Sequence, residues 1–94
     1  MTVKQILAKE GLTESSALKD QAMLVAMSKS SHFEAECRGF ERKYGVSLAK
    51  MKKRTETLKD REDFSVEDDL MKWEFAGASL KWWRERVEEV RLAV

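Results

Sequence analysis

Apolar positions along the chain recur at helical rather than strand spacing. Leu18, Ala22, Val25 and Ala26, Phe33, Cys37, Phe40 and Tyr44 follow one another at close to 3.6 residues. So do Val66, Leu70, Trp73, Ala76 and Gly77, Leu80, Trp83, Val87 and Val90. A narrower line, Leu48, Met51, Thr55 and Leu58, has the 3-4-3 spacing of a helix seam. Val3, Ile6 and Leu7 mark a short fourth segment. No stretch alternates apolar and polar residues long enough to predict a strand.

Terminator and cap residues divide these lines into helices. Thr2 with Gln5 has the form of a capping box, and Gly11 supplies a left-handed stop. Thr13 is a good N-cap and Gly45 a good terminator. Ser47 is the next N-cap, with Val46 and Met51 at hydrophobic-staple spacing. Ser65, followed by Glu67, Asp68 and Asp69, marks a last start where acidic side chains suit the helix dipole. The predicted helices are therefore 3–10, 14–44, 48–61 and 66–92. The S-K-S-S-H run at 28–32 and Gly39 are where the second is expected to bend or break, if anywhere. The expected fold is all-α: one domain over 1–94, three or four helices, two of them long and antiparallel, forming an elongated hairpin or bundle that associates into oligomers.

Composition sharpens this picture. The chain has 94 residues, no proline and only four glycines, all favourable to long helices. A chain this short buries only about 60–65% of its unfolded surface. Yet the last helix carries a second apolar line, Phe75, Ala78 and Trp82, about 100–120° from the first by the helical period. Met23, Leu24 and Met27 widen the second helix in the same way. Such helices call for a second contact, with aromatics and methionine at its centre. Trp73, Phe75, Trp82 and Trp83, with Phe33, Phe40 and Tyr44, are the candidate contact residues, divided between core and interface.

Charge adds one rival reading. Net charge is +1, but Lys43 to Arg61 holds seven basic and two acidic residues, and Glu62 to Glu74 holds six acidic and one basic. Lys50, Lys53 and Arg54 on the third helix would suit a nucleic-acid backbone. The same basic face could instead pair with the acidic block that follows.

Chemistry is sparse. Cys37 lies on an apolar stripe and reads as a packing residue, not a nucleophile. His32 with Glu36 makes two ligands of a metal site and no more. No phosphate-binding glycine loop occurs. No enzyme activity, metal or cofactor is expected. Charged residues at 37% and the absence of a long apolar run argue against a membrane span, the M-T-V-K-Q start lacks signal-peptide features, and one cysteine suits a reducing cytoplasm.

Two segments, F-E-A-E-C-R-G-F-E-R-K-Y-G at Phe33 to Gly45 and E-D-D-L-M-K-W-E-F-A at Glu67 to Ala76, resemble small helical proteins of bacteria and archaea. Those are usually encoded beside a second small gene and are described as antitoxins of toxin–antitoxin pairs. The resemblance runs from about residue 13 onward. It implies a protein that binds and neutralises a cognate toxin, itself a small enzyme acting on RNA or translation. The chain departs from better-known antitoxins in lacking an evident N-terminal DNA-binding domain and a disordered tail. The resemblance carries no catalytic residues. Self-assembly without a separate partner is the remaining alternative.

Overall fold

A computed structural model describes residues 1–11, 13–57 and 64–93. Among them are four α-helices and no strand: α1 Val3–Lys9, α2 Glu14–Tyr44, α3 Leu48–Thr57 and α4 Phe64–Leu92. The expected residues 58–61 of the third helix, Leu58 of its apolar line included, lie outside the described residues.

Local chemistry accounts for the helix ends. The Thr2 hydroxyl accepts from the Gln5 N–H, and the Gln5 side chain accepts from the Thr2 N–H. Thr13 and Ser16 make the same reciprocal pair at the start of α2. Gly11 and Gly45 are the positive-φ residues, at +74° and +67°. Gly45 closes α2 by donating its N–H to the Glu41 carbonyl at 2.7 Å. A side chain there would be strained by the left-handed backbone. The Ser47 hydroxyl accepts from the Lys50 N–H and starts α3. Ser65 does not cap α4, because the helix already includes Phe64.

α2 is unbroken across both suspect points. Ser30 satisfies its hydroxyl on the Ala26 carbonyl one turn back, so the serine run costs the helix no buried polar group. α2 and α4 pack along their length, α3 packs on α4, and α1 touches α2. The long pair is antiparallel: Lys43 near the end of α2 meets Asp69 near the start of α4, and Lys19 near the start of α2 reaches the Ala93 carbonyl.

The result is a rod, 65 × 25 × 17 Å, with a radius of gyration of 19.8 Å. A compact chain of this length would have about 12 Å. Its fully buried apolar residues, among those described, are Ala26, Met51, Trp73 and Ala76. Trp73 lies between the stacked rings of Phe40, 5.7 Å away, and Tyr44, 6.0 Å away. Ala26 and Ala76 provide small side chains on the facing helices. Toward the start of α2 the stripe leaves the core. Leu18 is 70% exposed although its neighbour Lys19 reaches the Ala93 carbonyl, so it stands to the side of the contact line between the helices. On α1, Val3 and Ile6 are exposed as well.

Trp73→Ala should be the most damaging single change, lowering stability by about 3–5 kcal/mol through lost burial and the cavity left behind. Gly45→Ala should cost about 1 kcal/mol. Urea unfolding followed by circular dichroism measures both.

Candidate functional site

The two long helices expose a face that the other described residues leave uncovered. At about 100° per residue, the α4 residues Phe64, Asp68, Met71, Phe75, Ala78 and Trp82 stand about 140–220° around the helix from Trp73. The second apolar line is therefore nearly opposite the first, not 100–120° from it. Phe64, Met71, Phe75 and Trp82 are all exposed, Phe75 at 65% and Trp82 at 48%. α3 sits on one flank of this line, fixed by Lys52 to Glu74 at 3.1 Å. On the other flank an open groove of about 770 Å³ runs between α2 and α4. Phe33, Phe40, Met71 and Phe75 give it apolar walls, and His32 and Lys72 are among its polar residues. The Phe33 ring meets the Phe75 ring edge-on at 5.9 Å.

The predicted contact residues divide by environment. Trp73 is 2% exposed and holds the fold, so it cannot act as a surface anchor. Phe40 and Tyr44 are half-buried and stack on it. Phe33 and Trp83 are half-buried, while Phe75 and Trp82 face out. Trp82 and Trp83 touch edge to face at 4.8 Å, and the Arg86 guanidinium lies 4.5 Å over the Trp82 ring. Phe64 and Met71 complete the exposed line. Neither stood out in the sequence as a contact residue, although the 4-3-4-3-4 spacing from Phe64 to Trp82 was there to be read.

The basic and acidic blocks meet across the fold. Lys43 donates to the Asp69 carboxylate at 2.5 Å, and the Tyr44 hydroxyl donates to the same oxygen. These two hydrogen bonds, the lysine's first, hold the Asp69 carboxyl below its ordinary range. The Lys43 ammonium is raised by the same contact. With Lys52 bound to Glu74, two cations of the basic block are already engaged. Lys50, Lys53 and Arg54 remain exposed on α3.

Compared with known proteins, the chain matches no family model, no curated protein and no solved structure. The remaining reactive groups are simply placed. The Cys37 thiol is half-buried and pushed up, first by desolvation and then by Glu41 and Glu36, which keeps it protonated at neutral pH. His32 pairs with Glu36 at 3.1 Å along one face of α2. Among the described residues no three His, Cys, Asp or Glu side chains gather as a metal site. None of their helices is long and apolar enough to cross a membrane.

A carboxyl depressed by folding contributes stability above its unfolded value, about 3.9, and loses that contribution as pH falls through the lower folded value. Thermal unfolding scans should therefore show the native chain weakening on the acid side of that value. Asp69→Asn should start less stable at neutral pH and show a shallower acid limb.

Proposed function

We propose that this chain is a helical protein-binding module of the antitoxin kind, acting in the cytoplasm by docking onto a cognate protein and blocking it, without catalysis of its own. The observation that supports this reading is the pair of opposed apolar lines on α4. One line is consumed by the hairpin core around Trp73. The other, with Phe75 and Trp82 at its centre and the adjoining groove beside it, is left to an external surface. Large exposed apolar patches on monomeric proteins mark interaction sites. Exposed aromatics between charged rims have the composition of interface centres. The resemblance of the Phe33–Gly45 and Glu67–Ala76 segments to antitoxins supplies the class of partner, and the lone Cys37 suits a reducing compartment.

Co-expression with the product of the adjacent reading frame tests it. A stable complex should be recovered, and the partner's toxicity should be relieved. Phe75→Asp and Trp82→Asp should each weaken the complex at least about tenfold, the loss of one well-buried anchor, while circular dichroism shows helicity unchanged. Separate recovery of the two proteins, each fully active, would overturn the reading.

A further inference from the structure

We infer that the outward line of α4 pairs with the same line of a second copy, antiparallel, about a two-fold axis near Trp73. Four observations support it. First, the line keeps 4-3-4-3-4 seam spacing for six positions, Phe64 through Trp82, the period at which two helices pair along their length. Second, the surface is in excess. The chain exposes 7507 Å², against about 5,600 Å² for a compact protein of its mass. A standard interface removes about 800 Å² from each partner, so a copy laid along α4 fits within the difference.

Third, an antiparallel register puts each member of the line against a compatible one. Phe64 meets the second copy's Trp82, Met71 its Phe75, and Asp68 its small Ala78. The arrangement is isologous, each contact occurring twice. A parallel register would instead set Asp68 against Asp68. Fourth, the register joins charges that take no ion pair among the described residues, Glu67 and Lys81. They occupy the same flank of the line, and the antiparallel pairing brings Glu67 of one copy beside Lys81 of the other, twice. The like charges nearest the axis are already neutralised, Glu74 by Lys52 and Lys72 by Asp68.

A second copy and the cognate protein of the proposed function would compete for this line, so the inference does not rest on the existence of that partner. The two readings fail separately, because self-pairing is measured on the isolated full-length chain and the partner reading on the co-expressed pair. Sedimentation equilibrium at micromolar concentration should give twice the 10.9 kDa of one chain. Phe75→Glu should return it to one chain with helicity retained. The register is tested in a Cys37→Ser background with two single variants, Asp68→Cys and Ala78→Cys. Mixed together, they should cross-link to each other with a short bismaleimide, and neither should cross-link to itself. A monomer at micromolar concentration overturns the inference. So does a dimer in which Asp68→Cys or Ala78→Cys cross-links to itself, or in which the mixed pair fails to link.

Discussion

Two helices laid side by side have a single line of mutual contact, and this molecule is close to that limit. What the hairpin buries, it buries along that line, with Trp73 in the middle, held between Phe40 and Tyr44. α3 adds a local cover, anchored by the buried Met51 and the Lys52–Glu74 pair. It reaches only one flank, and only part of the length of α4. Among the described residues no third long helix covers the Phe64–Trp82 line, and Phe64, Met71, Phe75 and Trp82 are exposed along it.

Antiparallel pairing of α2 and α4 also explains the segregated charges. The chain must turn back between them through a short helix, so the basic stretch from Lys43 to Lys53 is folded beside the acidic start of α4. Asp69 receives Lys43 and Tyr44, and Glu74 receives Lys52. Exposed pairs of this kind contribute little energy each. Their role is better understood as alignment. Lys43–Asp69 lies at one end of the hairpin and Lys19 to the Ala93 carbonyl at the other, in register with the central stacking of Trp73 on both Phe40 and Tyr44.

The helices were legible from the sequence because caps, glycine stops and the 3.6-residue stripe agree at nearly every boundary. Thr2, Thr13, Gly45 and Ser47 all take the parts their chemistry suggests. Two things were not legible. Leu18 belongs to the apolar stripe by spacing, yet it is exposed beside Lys19, which does reach Ala93, a matter of how the two helices are turned against each other rather than of local pattern. The roles of the tryptophans were also hidden. Periodicity places Trp73 and Trp83 on one side and Trp82 on another, but it does not say which side finds a neighbour. Met71 shows the same limit: among helical neighbours it reads as an ordinary apolar residue, and its exposure follows from its place on the side of α4 turned away from Trp73.

Trp82 and Trp83 show how sharply a helix separates adjacent residues. They follow one another in sequence, and their rings touch edge to face. A rotation of about 100° between them turns Trp83 toward the hairpin and Trp82 to the solvent side, where Arg86 covers one face of its ring. That guanidinium also binds Glu89 and lies near Glu85. Trp82 is thus held in place before anything docks on it, so little side-chain freedom remains to be lost on contact. The Trp82 ring, 48% exposed and held by Arg86 and Trp83, stands in line with Phe75 and Met71, the arrangement that the proposed docking of a helix would use. That alignment separates the outward side of α4 from the scattered exposed apolar residues of α1, which rest on a seven-residue helix too short to be stable by itself.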